Sequence, residues 1–220
     1  MTIVFVHGLG QDKNAWDEVI QLVDYKDEII IPQLNNFEIS GSLTYENLYQ
    51  EFCVLCHRVT SVNLCGLSLG AILCLNYAID YPEKVNSLAV IAPQYKIPKK
   101  LFKVQNTIFK LLPKSTFTKM GFSKEDTLSL VNSMGDLDFT DRLKGVNCPT
   151  LIVCGAKDNA NIKAAKSLQA LIPNSIYEEI PNSKHEINKE NPSGLADKLN
   201  QFIDRELSHK MLVSSKRRKY

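Results

Sequence analysis

No apolar run in this chain of 220 residues approaches the ~18 residues that a membrane-crossing helix needs. The start has nothing of a secretory leader: Met1 is followed at once by Thr2-Ile3-Val4-Phe5-Val6, too short for an apolar leader core and without a basic stretch before it. No Gly/Ser/Pro-rich linker interrupts the chain and no repeat recurs at solenoid periods, so a single domain over residues 1–207 is expected. The six cysteines (Cys53, Cys56, Cys65, Cys74, Cys148, Cys154) lie mostly within apolar runs and lack disulfide-framework spacing. A reducing cytoplasm is the expected compartment.

Histidine is also scarce, with four residues, and acids are missing from one end. From Ser208 onward the chain carries Lys210, Lys216, Arg217, Arg218 and Lys219 and no acid, so the body holds 21 basic against 24 acidic residues. A net charge near −3 on the body excludes a polyanion-binding body by charge, and no specific nucleic-acid partner or stable membrane association is expected. The segment 208–220 reads as a basic, solvated, disordered tail.

Cys53-Val54-Leu55-Cys56-His57 matches the haem-attachment string C-x-x-C-H. That chemistry needs an exported protein and an exposed loop. These residues instead continue a helical apolar pattern through Tyr45, Leu48, Phe52 and Leu55, and read as buried helical thiols.

What the chain does contain is an alternation of short apolar runs and amphipathic stretches. Strands are expected at 3–6, 28–31, 62–65, 85–92, 150–154 and 175–180, with helices at about 12–26, 44–58, 71–81, 161–171 and 192–207. Such alternation predicts a mostly parallel sheet with helices on both faces. In that architecture reactive groups gather on the loops beyond the carboxyl ends of strands.

The most informative of these loops is Gly66-Leu67-Ser68-Leu69-Gly70, between the apolar run 62–65 and the next helix. At ~7% Gly and about as much Ser, a G-x-S-x-G string arises by chance in roughly one chain of this size in fifteen. The strand-turn-helix context carries the weight, because a sharp turn there lifts the serine hydroxyl clear of both elements. Asp158 follows the strand 150–154, and His185 follows the strand 175–180. A nucleophile, an acid and a base thus occupy three strand ends. The plainer readings are a helix N-cap for Ser68, a turn residue for Asp158 with Asp136, Asp138 or Asp141 in its stead, and a surface position for His185.

Together with His7-Gly8-Leu9-Gly10 and Trp16, Tyr81-Pro82-Glu83-Lys84-Val85, Cys148-Pro149 before the fifth strand, and Glu190-Asn191-Pro192 after His185, this order resembles the α/β-hydrolase superfamily over most of the chain. The resemblance implies an α/β fold with a six-stranded sheet that lacks the family's first two strands, and a short helical lid at 94–145. It further implies Ser68, Asp158 and His185 as the catalytic set, an oxyanion hole from the backbone N–H groups of Leu9 and Leu69, and His7 as a brace for its loop. No cofactor and no metal are implied. Lys184 and Leu67 depart from the glycine and histidine that family members often carry before the base and the nucleophile.

Across 94–124 lysines accumulate before the first acid, Glu125, while Ile97, Leu101, Val104, Ile108 and Leu111 recur at helical steps. This basic amphipathic pattern suits a solvated face over an apolar pocket, contact with an anionic substrate, or a lipid surface. Leu67, Tyr95, Leu101 and Ile108 are the expected pocket residues. The implied function is a serine hydrolase acting on a small-molecule ester or thioester through an acyl-enzyme. A lyase or C–C bond hydrolase of an anionic organic acid, and a silent ligand-binding protein, are the alternatives.

Overall fold

The computed structural model describes residues 2–25, 28–99, 111–119 and 121–217, with no side chains described at 118–119 and 206–217. Six strands form one sheet, β1 (Thr2–Val6), β2 (Glu28–Ile30), β3 (Val62–Leu67), β4 (Val85–Ile91), β5 (Thr150–Gly155) and β6 (Ser175–Ile180), in the order β2-β1-β3-β4-β5-β6. Every neighbouring pair is parallel. The expected doubly covered parallel sheet is what forms.

Strand alternation sorts the core into two layers. Val4, Val6, Leu64, Leu88, Val90, Ile152 and Cys154 face α2 (Tyr45–His57), α3 (Leu69–Asp80) and a later helix, Ile162–Leu171. Ile3, Phe5, Cys65, Leu67, Ala89, Ile91, Leu151 and Val153 face α1 (Asp17–Leu22) and the last helix, Pro192–Arg217. Side chains at successive strand positions leave opposite faces, so a continuous apolar run is what a strand covered on both sides requires. Trp16 is fully buried under the second layer, its ring 5.2 Å from that of Phe5.

Within the segment 94–145, α4 (Lys114–Lys119) and α5 (Lys124–Ser133) precede a 3-10 turn, Thr140–Gly145. Ser123 caps α5 by accepting from the Asp126 N–H at 2.9 Å, and Thr44 caps α2 in the same way. The basic helical pattern read from sequence falls largely on 100–110, with Leu101 and Ile108, and lies outside the described residues.

The remaining helices are α6 (Ile162–Leu171), α7 (Ile187–Glu190) and α8 (Pro192–Arg217). Two element ends differ from expectation. The first helix stops at Leu22, four residues before the expected Lys26, after a 3-10 turn at Lys13–Trp16. The last runs to Arg217, so most of the segment expected as a disordered tail is helical. Nothing between Gly194 and Arg217 breaks a helix, since the stretch holds neither Gly nor Pro.

Candidate active site

The carboxyl ends of β3, β5 and β6 bring Ser68, Asp158 and His185 together. Ser68 caps α3 with φ 55° and ψ −112° and makes no side-chain capping bond, so its hydroxyl is free for another partner. Its backbone is fixed from both sides, the N–H donating to the Ile91 carbonyl at 3.0 Å and the carbonyl accepting from the Ile72 N–H at 3.1 Å. The turn closes only because residue 70 is glycine: a Cβ there would lie 2.2 Å from the Val6 carbonyl oxygen. Among the described residues the positive-φ non-glycine positions are Ser68, Ala92 and Asn182, which follow the ends of β3, β4 and β6. Strained backbone is thus confined to the rim where the reactive groups collect.

The Ser68 hydroxyl lies 2.9 Å from His185 Nε2, and His185 Nδ1–H donates to Asp158 Oδ2, also at 2.9 Å. Asp158 is buried, whereas the His185 side chain is 42% exposed, enough for a substrate to reach it. Burial works to raise the Asp158 carboxyl, but hydrogen bonds from His185 and Asn161 outweigh it and hold the group below its usual range. The His185 loop is seated on β5: the carbonyls of Ser183 and Lys184 occupy the space a side chain at Gly155 would fill, and the Lys157 N–H donates to Ser183 at 2.8 Å. Glu190 accepts from the Lys184 backbone N–H at 2.6 Å and closes the loop from the far side.

Leu69 is the first residue of α3, where helix N–H groups have no partner inside the helix. The backbone before Leu9 passes close to the serine, since a Cβ at Gly8 would be 3.4 Å from Ser68 Cβ. His7 fixes that passage. Its Nδ1–H donates to the Gly8 carbonyl at 2.9 Å and its Nε2 accepts from the Leu34 N–H at 3.2 Å, which sets one neutral tautomer. Burial, partly offset by the Gly8 carbonyl, keeps the imidazole below its usual 6.5.

Two expected pocket residues are described. Tyr95 is half-buried against the α2/α3 layer. Leu67 is buried and belongs to the opposite layer, with its side chain beneath Gly8. The reason is strand parity: Leu67 shares the face of Cys65. Cys53 and Cys56 are buried in α2, as the helical reading of the C-x-x-C-H string required. No cluster of three or more His, Cys, Asp or Glu side chains suited to a metal occurs among the described residues, and none of their helices is long and apolar enough to cross a membrane. Sequence reasoning missed Gln11, Gln94, Asn161 and Asn188, whose amides pack around the site; single neutral amides carry no periodic or spacing signal.

A family model described as alpha/beta hydrolase fold matches residues 2–119. The (E)-2-((N-methylformamido)methylene)succinate hydrolase of Acinetobacter baylyi is 22% identical over 237 residues, covering 91% of this chain and 88% of its own. A pimeloyl-[acyl-carrier protein] methyl ester esterase of Legionella pneumophila is 24% identical over 203 residues, covering 80% and 84%. Among solved structures, the enol-lactonase of Burkholderia xenovorans superposes with a TM-score of 0.79 at 17% identity, covering 92% of this chain and 91% of that one.

Proposed function

Because the chain belongs to the α/β-hydrolase fold family, we propose that it is a serine hydrolase that cleaves a small-molecule carboxylic ester or thioester. The observation that carries this reading is the continuous hydrogen-bonded chain from Ser68 Oγ through both nitrogens of His185 to a buried, ionised Asp158. In the proposed reaction Ser68 Oγ attacks the carbonyl carbon while His185 Nε2 takes its proton. Asp158 holds the imidazole in the tautomer that leaves Nε2 free and stabilises the imidazolium once it forms. The carbonyl oxygen, now anionic, is received by the Leu9 and Leu69 N–H groups. His185 then returns the proton to the departing alcohol or thiol, and water, activated by the same imidazole, releases the acid from Ser68.

Relatives named for a succinate derivative and for an acyl-carrier ester support substrates in which an acidic or carrier-borne acyl group is attacked. The segment 94–145 is assigned to the lid that covers this group, with Tyr95 at its root. Six buried cysteines held as thiols support a reducing, cytoplasmic setting.

Intact-mass labelling with a fluorophosphonate tests the reading without a known substrate. The wild type gains one phosphonyl group with loss of fluoride, Ser68→Ala gains none, and His185→Ala gains it at least about a thousandfold more slowly. A folded wild type that stays unlabelled, or a Ser68→Ala protein that labels like wild type, overturns it.

A further inference from the structure

The carboxylate of Asp158 has a second side-chain partner that the three-residue chain does not call for. Asn161 Nδ2 donates to Asp158 Oδ1 at 2.9 Å and to Oδ2 at 2.8 Å, and the same nitrogen lies 3.1 Å from His185 Nδ1. Two N–H donors therefore converge side by side on one carboxylate, the imidazole on one oxygen and the amide bridging both. Asn161 occupies the N-cap position of α6 yet makes no side-chain capping bond; the amide that would ordinarily cap the helix is turned inward and buried.

The other end of the amide is also held. Asn161 Oδ1 accepts from Gln94 Nε2 at 2.7 Å, and the same Gln94 nitrogen is 3.4 Å from the Ala160 carbonyl. Gln94 comes two residues after the strained Ala92 at the end of β4, so the link runs from a third strand end, across the Asp158 loop, to the base. With its oxygen taken by Gln94, the Asn161 amide cannot flip without facing its oxygen to the carboxylate, which would repel it.

We propose that Asn161 is a positioning residue for the Ser68–His185–Asp158 chain and that Gln94, at the first position of the 94–145 segment, holds Asn161 to that task. The inference rests on the serine-hydrolase reading above. Chemically, the amide fixes the plane of the carboxylate, so that Oδ2 meets the imidazole in one orientation. It also shares the negative charge that would otherwise be given wholly to the imidazolium. The titratable groups that act most directly with the Asp158 carboxylate are the His185 imidazole and the Cys154 thiol, which burial raises to about 12 and so keeps neutral. The amide is then the main neutral group that sets how strongly Asp158 pulls on the ring.

The test measures the rate of labelling by a fluorophosphonate–rhodamine probe against pH, with a thermal midpoint for each protein, in wild type, Asn161→Ala, Asn161→Asp and Gln94→Ala, with Ser68→Ala as blank. Asn161→Ala should label roughly 10- to 100-fold more slowly, the scale of one lost hydrogen bond to a charged group. The acid limb of its profile, which reports protonation of the base, should move to higher pH because the carboxylate no longer shares its charge. Asn161→Asp should move that limb further in the same direction. Gln94→Ala, on a half-buried loop, should show a smaller change of the same sign, and it carries the test alone if the Asn161 variants do not fold. Variants that label within twofold of wild type, or slow only as their folded fraction falls with the acid limb unmoved, overturn the positioning role while leaving the hydrolase reading intact. An unlabelled wild type overturns both.

Discussion

The side-chain amides of Gln11 and Asn188 exchange two hydrogen bonds, Gln11 Nε2 donating to Asn188 Oδ1 and Asn188 Nδ2 to Gln11 Oε1, each at 3.1 Å. Both residues are buried, and the pair ties the loop after β1 to α7, which begins two residues beyond His185. Asn188 also donates to the Ala15 carbonyl at 3.0 Å, and the Gly8 N–H reaches Gln11 Oε1 at 3.4 Å. The loop proposed to receive the oxyanion and the loop that carries the base are thus held in register by one amide pair. Gln11→Ala strips the buried Asn188 Oδ1 of its partner and Asn188→Ala strips Gln11 Nε2 of its own, and each should cost about 1–3 kcal/mol. Denaturant unfolding of the two single variants and the double should give a coupling of roughly 0.5–3 kcal/mol.

Gly70→Ala should be a severely damaging small substitution at the site. The added carbon would lie 2.2 Å from the Val6 carbonyl oxygen and 2.9 Å from that of His7, both backbone atoms that cannot swing away. Loss of more than about 3 kcal/mol is expected, read as a collapsed thermal midpoint or no folded yield. Gly145→Ala, where nothing lies within 4 Å of the new carbon, serves as control and should fold normally.

His7 makes stability depend on pH in a defined window. Burial lowers its folded-state value below the 6.5 of the unfolded chain, so between the two the unfolded chain binds more protons. The contribution is complete above pH 6.5 and is lost as pH falls through the folded value. Asp158 acts in the same direction, but only below the unfolded carboxylate value of 3.8. Thermal midpoints should therefore drop in wild type as pH falls below 6.5, and His7→Gln should flatten that slope.

Asp158→Asn preserves shape and removes the charge. The amide would face His185 Nδ1 without the negative partner that fixes the tautomer, so hydrolysis of a short p-nitrophenyl ester should fall about 10³–10⁴-fold in kcat with little change in KM. The thermal midpoint should stay within a few degrees of wild type.

Much of this was legible in the chain because its signals are local. Runs such as Ile3–Val6 and Leu151–Cys154 announce strands buried on both faces, and their parity even determines which layer each residue joins. The same parity places Leu67 with Cys65, in the layer opposite that of Tyr95. Ser68, Asp158 and His185 were visible because each follows a recognisable strand. Gln94 and Asn161 were not, since the sequence separation of 67 residues is closed only by the pairing of β4 with β5. Helix ends were also poorly legible: α8 continues past Leu207 because nothing in the sequence stops it, and propensity alone marks no boundary there.

Just beyond Gln94 the chain leaves the sheet and returns to the same point. Ile97 N–H donates to the Leu137 carbonyl at 3.0 Å, Phe139 N–H donates to the Tyr95 carbonyl at 2.9 Å, and Lys96 bridges Asp138. The outgoing and returning chain are therefore clasped together at a neck by their own backbone bonds, while beyond it Leu130 and Met134 pack into the core and Ser133 Oγ accepts from the Tyr45 N–H. Loop closure grows only as the logarithm of length, so the chain between the neck and the packed helix α5 can change length while the strand ends keep their spacing. The neck is then the place to alter this segment without moving the strand ends.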